Sequence, residues 1–567
     1  MNKANHKRRI VIVGGVAAGA SAATRARRMN EHAEIVMLEK DAYVSFANCG
    51  LPYYIGGEID DRGKLLVASE DLFRDRFNID VRSNTECVAI DRDAKTVLVR
   101  STRTGEHETL EYDKLILAMG ASPIVPAVDG ARGPNVYTMR NLEDTDRLKA
   151  GIDAQKPDSA VVVGAGYIGI EVAEQLVNLG ITVTLVEKAP QVMPVMDAEM
   201  ASMVQDELEK RGVRVVLGDG LEGFATSDAG EVTAVRLESG EEITAPLVVL
   251  GIGVRPNTQL AADAGLNVRP DGAIAVDGCM RTNDPHIYAA GDGVAYPHVS
   301  GENMRVALGG PANRAGRIAG EHAATDAAAP MRPVAGTAIV RAFGVSAGMT
   351  GLTERQAERT GVAHKTVHIM AKHHAGYYPG AEPMVLKLVY SPETRAVLGC
   401  QIVGGAGVDK RVDVVATVVC MGGTVDDLAG LDLAYAPPFG SAKDPVHLAA
   451  FVAINELDAV TDLIEATEPM PDGAQIVDVR TAREIERVRL PEATHVELEE
   501  LRDRIDELDP RKTTVVLCHS GVRGHVGARV LKQRGFADVK NLSGGMLMRA
   551  IARPDDVVRA GEAAAKS

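Results

Sequence analysis

Paired cysteines are missing from this chain. Its six cysteines (Cys49, Cys87, Cys279, Cys400, Cys420 and Cys518) are scattered through 567 residues without a Cys-x-x-Cys spacing, so neither a zinc site nor a disulfide framework is suggested. A reducing cytoplasm fits that usage best. Long apolar runs are missing too: none approaches the roughly 18 residues that a membrane span needs. Nor is there an excess of basic charge. A formal net charge of -16 and a pI near 5.4 make non-specific binding to nucleic acid or anionic lipid unfavourable, so an anionic ligand must be held by local charges. His373-His374 lacks a third ligand in sequence reach, and no metal is expected.

What is present is ample core material: 46% apolar and 25% charged residues, an ordinary globular composition. At 60.0 kDa the chain divides into several domains of about 100 to 200 residues each. Lys7-Arg8-Arg9, an apolar run and Ala20-Ser21-Ala22 imitate a signal peptide. The same residues read better as a first strand, Ile10 to Val13, turning through Gly14-Gly15 into a helix from about Ala17.

That turn is a glycine-poor dinucleotide loop. Gly14 and Gly19 occupy the outer places of the pattern and Val16 replaces the middle glycine. A second strand, Glu34 to Glu39, ends in an acid placed to bind a ribose hydroxyl, which suits an adenosine-bearing cofactor. The full pattern comes later, at Val161-Val-Val-Gly164-Ala165-Gly166-Tyr167-Ile168-Gly169, followed by a helix running toward Leu179-Gly180 and a strand from Thr182 ending at Glu187. Gly164 allows the turn, Gly166 lets backbone approach a pyrophosphate and Gly169 allows tight helix packing. An acid at Glu187 accepts from a free 2′-hydroxyl and repels a 2′-phosphate, so NADH is expected in preference to NADPH. Two nucleotide units imply two dinucleotides, FAD and a nicotinamide.

Between them lies Ser45-Phe-Ala-Asn48-Cys49-Gly-Leu-Pro52-Tyr-Tyr54-Ile-Gly56-Gly57. Pro52 is preset for the first turn of a helix and Gly56-Gly57 would end it, so Cys49 is expected just ahead of a short helix whose dipole favours a thiolate. No second cysteine is within reach. Cys49 must therefore work alone against a cofactor, or be a buried small hydrophobe. Cys87, Cys279, Cys400 and Cys420, in apolar surroundings, are expected to be buried and structural, and the Met193, Met196, Met200, Met203 series to fill a core or groove.

Tyr112 to Ala121, Leu250 to Asn257 and Ile287 to Asp292 resemble the linking segments of the pyridine nucleotide-disulfide oxidoreductases, and the Cys49 stretch resembles the coenzyme A disulfide reductases and related persulfide reductases within that family. The resemblance runs from Ile10 to about Asn455. It implies a nicotinamide unit inserted in a flavin unit, flavin contacts at Gly14, Val16, Ala17, Gly19, Glu39, Lys40 and Asp292, and nicotinamide contacts at Gly164, Gly166, Gly169 and Glu187. It implies coenzyme A contacts at Ser21, Arg25, Arg28, Ser45, Asn48 and Lys443. From about residue 330 the chain is similar to the family's dimerisation domain, marked by His374-Ala-Gly-Tyr377 and Asp432-Leu-Ala-Tyr435. Tyr377 and Tyr435 are then expected to approach Cys49 of the other subunit in a homodimer.

The last hundred residues look like a rhodanese domain. Ala474 to Arg480 supplies its Asp478-Val479-Arg480, and a strand from Thr513 ends at Cys518 before a loop with Gly521 and Arg523 and a helix from about His525 to Gly535. Backbone amides and the Arg523 cation would face the sulfur. The histidine-glycine segment usual after Asp-Val-Arg is replaced by Arg489-Leu490-Pro491-Glu492-Ala493, which leaves the sulfur donor open.

The expectation is an α/β chain: a flavin domain (1–120 and 251–329) interrupted by a nicotinamide domain (121–250), both Rossmann-like, then an α+β dimerisation domain (330–458) and an α/β rhodanese domain (459–567). NADH would reduce FAD, and a small-molecule disulfide, persulfide or polysulfide would be reduced on Cys49, with Cys518 handling sulfane sulfur. One alternative is an NADH oxidase or peroxidase using Cys49 as a sulfenic acid. Against it, peroxidases of the family carry a histidine where this chain has Ala17. The other is a sulfur-carrier or redox-sensing protein without turnover.

Overall fold

Continuous β-branched runs place two parallel sheets in the first unit of the computed structural model, which describes residues 7–560. That unit comprises Met1–Pro190 and Gly212–Gly336; a second comprises Gln191–Arg211 and Thr337–Ser567. In the first sheet, Arg9–Val13 lies between Lys114–Leu117 and Glu34–Leu38, with Ile287–Ala289 and Asp80–Arg82 at the edges. The edge strand Ile287–Ala289 comes from beyond the second sheet in sequence, so the first domain is closed by a segment that returns to it. Ala121–Pro123 and Val254–Pro256, the outgoing and returning connections, pair antiparallel.

The second sheet has the order Arg214–Leu217, Thr182–Glu187, Ser159–Val163, Val248–Leu250, Val136–Tyr137, all parallel. Helix Ala17–Met29 follows the first glycine turn and helix Tyr167–Asn178 the second. Each begins where its strand's carboxyl end stops, the place where open α/β sheets bind nucleotides.

The second unit opens on a five-stranded antiparallel sheet. Its strands run Ala338–Ala342, Val345–Gly351, Val397–Gly404, Pro383–Tyr390, Lys365–Lys372. A parallel sheet follows, ordered Asp462–Ile464, Val539–Leu542, Thr514–Leu517, Gln475–Asp478, Thr494–His495. Its edge strand Asp462–Ile464 precedes the Ala474 to Arg480 segment in sequence. Helix Ala198–Lys210 belongs to this unit although it sits between strands of the second parallel sheet in sequence. Met193, Met196 and Met200 are fully buried and Met203 partly so, as expected of core filling.

Candidate active sites

A cavity of about 830 Å³ opens at the carboxyl end of the first parallel sheet. Val16, Ala17, Glu39, Lys40, Asn48 and Asp292 line it together with Gly14. Gly14 has φ +100°, and a Cβ there would meet the Ala118 carbonyl oxygen at 2.2 Å, so the turn tolerates no side chain. Glu39 is buried, and its carboxylate accepts from Gly15 N–H (2.8 Å) and Asp41 N–H (3.0 Å), which fixes it at the cavity wall. Burial raises both the Glu39 and the Asp292 carboxyl; Arg140 and Arg305 pull Asp292 the other way. A bare glycine turn, an anchored acid at the strand end and flanking arginines fit a dinucleotide such as FAD.

The second turn fits a nicotinamide dinucleotide by the same test. A Cβ on Gly169 would lie 1.8 Å from the Gly164 carbonyl oxygen, whereas the space beside Gly166 at the helix N-terminus is open. Glu187 accepts from Ala165 N–H (2.7 Å) and Ala189 N–H (2.9 Å), and Lys188 is paired with Glu238 at 2.6 Å.

Cys49 lies in a single 3₁₀ turn, Asn48–Gly50, ahead of helix Leu51–Ile55, which Pro52 opens and Gly56 ends. Asn48, its neighbour, lines the cavity and holds the Cys49 N–H at 3.1 Å from Oδ1. The expected thiolate stabilisation is not what the surroundings supply. Although Cys49 is exposed, surrounding protein partly desolvates its sulfur, and Glu171 and Asp292 add negative charge, so the thiol is raised. A helix of one and a half turns has too small a dipole to offset this. Cys87 also lines the cavity, but burial pushes its thiol to about 12. Cys400 is buried as expected, Cys279 only half so, and Cys420 is exposed. Cys420 ends a helix, Val408–Met421, whose buried stripe runs through Val408, Val412, Val415 and Val419 and leaves its side chain outside.

Of the implied coenzyme A contacts, Ser21, Arg25 and Arg28 share one face of helix Ala17–Met29. Arg25 is ion-paired with Glu321 at 2.5 Å, so its charge is already matched; Arg28 is exposed over the Phe77 ring. Ser21 donates to Asn313 at 2.6 Å, and Ser45 has a left-handed backbone, φ +47°. In the second unit Lys443 is exposed beside Asp444, which is buried and bonded to Arg411 at 2.8 Å. There Tyr377 and Tyr435 are exposed, with hydroxyls 3.2 Å apart. Their shared hydrogen bond raises the Tyr377 phenol.

Cys518 is buried at the end of strand Thr514–Leu517, and Gly521 N–H points at its Sγ from 3.1 Å. Helix Val522–Gln533 starts earlier than the sequence suggests and carries Arg523 in its first turn. That guanidinium is not directed at the sulfur alone: it forks onto Glu484 at 2.8 and 2.6 Å. The Thr481-x-x-Glu484 spacing marks a helix start, but nothing in the sequence joins Glu484 to Arg523. Two groups reach one another only through the fold, as do Asp197, Glu199 and Glu354, which converge on the buried Lys387 ammonium within the second unit.

Two glycine turns, each on its own parallel sheet, and an exposed cysteine next to the cavity wall define a two-dinucleotide oxidoreductase. Residues 8–316 match the pyridine nucleotide-disulphide oxidoreductase model, 337–445 the dimerisation domain of that family and 458–547 the rhodanese-like domain. The chain belongs to the pyridine nucleotide-disulphide oxidoreductases. It is 34% identical over 447 residues to the coenzyme A disulfide reductase of Staphylococcus aureus strain JH9, covering 78% of this chain and 99% of that one. The reduced Bacillus anthracis CoADR-RHD structure is similar over 97% of this chain and 99% of that one, with 41% identity and a TM-score of 0.94. An NAD-dependent persulfide reductase from A. fulgidus shares 38% identity and a TM-score of 0.88 over 95% and 99% of the two chains. Among the described residues no helix is long and apolar enough to cross a membrane.

Proposed function

We propose that the protein is an NADH-dependent reductase of coenzyme A disulfide, or of a coenzyme A, glutathione or polysulfide persulfide, held on Cys49. The observation that carries this is the position of Cys49: an exposed thiol one residue from the cavity wall, with no second cysteine in its own loop to form a local disulfide. FAD, when bound, relays the reducing equivalents of the nicotinamide to sulfur. Cys49 attacks one sulfur of the disulfide, forming a mixed disulfide and expelling the first thiolate; two electrons then release the second thiol and restore Cys49. With a persulfide, hydrogen sulfide replaces one thiol.

Glu39 and Asp292 hold the flavin's ribose and ribityl hydroxyls, and Gly164, Gly166 and Glu187 hold the nicotinamide dinucleotide, with NADH preferred. Ser21, Arg25, Arg28, Ser45, Asn48 and Lys443 form the coenzyme A contacts. Tyr377 and Tyr435 of one subunit complete the Cys49 site of the other in a homodimer, each phenol able to protonate a departing thiolate. The division into 1–120 with 251–329, 121–250, 330–458 and 459–567, the sulfur-carrying role of Cys518 and Arg523, and a cytoplasmic location belong to the same reading. Ala17, which has no proton to give, stands against peroxide chemistry at this flavin. The test is anaerobic NADH oxidation with each acceptor in turn, measuring thiol and sulfide. No turnover with any sulfur acceptor, where an aerobic control consumes NADH with oxygen alone, overturns it.

A further inference from the structure

Both arginines around Cys518 are paired with carboxylates, and Glu499 adds further negative charge near Arg523. Arg523, the cation of the loop, has both terminal nitrogens on Glu484, at 2.8 and 2.6 Å. Glu484 is fixed in turn: it accepts from Thr481 N–H (3.0 Å) and Thr481 Oγ (2.9 Å) in the capping box of helix Ala482–Ile485. Arg523 holds the Glu484 carboxyl down at about 2, so the pair is ionised at any working pH. The other nearby cation, Arg480, is buried and forks onto Asp478, with a closest approach of 2.7 Å. Burial holds His519 below its ordinary range, leaving it neutral. Each arginine is therefore matched by its own carboxylate, and among the described residues the Gly521 N–H is the donor that points at the sulfur.

We propose that Glu484 sets the donor specificity of Cys518, disfavouring the thiosulfate dianion and favouring organic persulfides. The proposal rests on the reading that Cys518 carries sulfane sulfur. An organic persulfide brings at most one charge to the sulfur: the Cys518 thiolate attacks its outer sulfur, forming Cys518–S–SH and releasing the organic thiolate. With thiosulfate the same attack forms Cys518–S–S⁻ and releases sulfite, so two negative charges must approach a thiolate. A free arginine would draw that dianion in; an arginine already matched by a carboxylate does not. Specificity is thus set by a residue that never touches the donor.

The test is steady-state sulfur transfer from thiosulfate to cyanide by the full-length protein and its Glu484→Gln variant. The amide keeps the side chain's shape and an acceptor for Thr481 while leaving Arg523 unmatched. Its kcat/KM for thiosulfate is expected to rise by at least about tenfold and to fall steeply with added salt, unlike wild type. A purely structural role for Glu484 would not create salt dependence. Glu484→Ala makes the same charge change, so the result does not depend on one variant folding. Mass spectrometry of wild type after glutathione persulfide treatment should show one added sulfur on the Cys518 peptide. If that sulfur is present but both variants match or fall below the wild-type thiosulfate rate, the specificity proposal is overturned alone. If neither donor places sulfur on Cys518, the sulfur-carrying reading fails and the proposal with it.

Discussion

His368 Nδ1 lies 2.9 Å from a Glu465 carboxylate oxygen, across 97 residues of sequence. Its Nε2 is 3.2 Å from Glu199, so both ring nitrogens face carboxyl groups, an arrangement that favours the imidazolium. Burial opposes that charge, but the hydrogen bonds to Glu199 and Glu465 outweigh it and push His368 up to about 9. Within the second unit this ties the antiparallel sheet to the parallel one, because His368 lies in strand Lys365–Lys372 and Glu465 follows strand Asp462–Ile464.

A folded-state value above the ordinary 6.5 means that the stabilisation is complete below pH 6.5 and is lost as pH rises through about 9. The other shifted histidines, His298, His322, His519 and His525, are lowered by burial and act below this window. Denaturant unfolding followed from pH 6.5 to 9 should show a loss of up to about 3 kcal/mol, and His368→Gln should flatten it. An unchanged slope in the variant would assign the loss elsewhere.

Cofactor choice follows from Glu187. Its carboxylate is anchored by two backbone N–H groups at the end of the strand, and Lys188 is occupied by Glu238. The kcat/KM for NADH should exceed that for NADPH, and Glu187→Gln should narrow the ratio by about tenfold. Equal efficiency in wild type would show that Glu187 does not face the ribose.

Gly169→Ala tests the second turn alone. The new Cβ would fall 1.8 Å from a carbonyl oxygen, forcing strand and helix apart at a cost of about 1–3 kcal/mol. Flavin absorbance should survive, while the KM for NADH rises. Loss of flavin together with NADH affinity would mean that the two nucleotide units do not fold separately.

These turns were legible because a dinucleotide loop writes its geometry into adjacent residues: Gly14, Gly164 and Gly169 stand where a Cβ would strike backbone, and Glu39 and Glu187 where the next strand ends. The short helix after Cys49 was legible from Pro52 and Gly56 for the same reason. Its electrostatics were not. Desolvation of the sulfur by the folded protein, helped by Glu171 and Asp292 from distant parts of the chain, reverses the shift that the local helix suggests. Long-range pairing also hid the Glu484 partner of Arg523, the carboxylates on Lys387 and the placement of helix Ala198–Lys210 in the second unit. Lys387 in particular lies fully buried in a strand whose alternation reads as apolar, and only its three carboxylates make that position tolerable.

The shared-site reading predicts complementation. A Cys49→Ser subunit and a subunit with both Tyr377→Phe and Tyr435→Phe should each be weak as homodimers, yet a verified heterodimer should regain activity in one of its two sites. Phenylalanine keeps the ring and removes the hydroxyl pair seen at 3.2 Å. No recovery in the heterodimer would place the tyrosines outside the Cys49 site.

The most direct test of the account is Cys49→Ser assayed anaerobically with NADH and coenzyme A disulfide. Stoichiometric bleaching of the flavin by NADH should persist, while release of coenzyme A thiol falls by at least about a thousandfold, because the serine hydroxyl cannot form the mixed disulfide. Cys87→Ser, whose thiol is held near 12 by burial, should release thiol at close to the wild-type rate. Wild-type thiol release from Cys49→Ser would contradict the account.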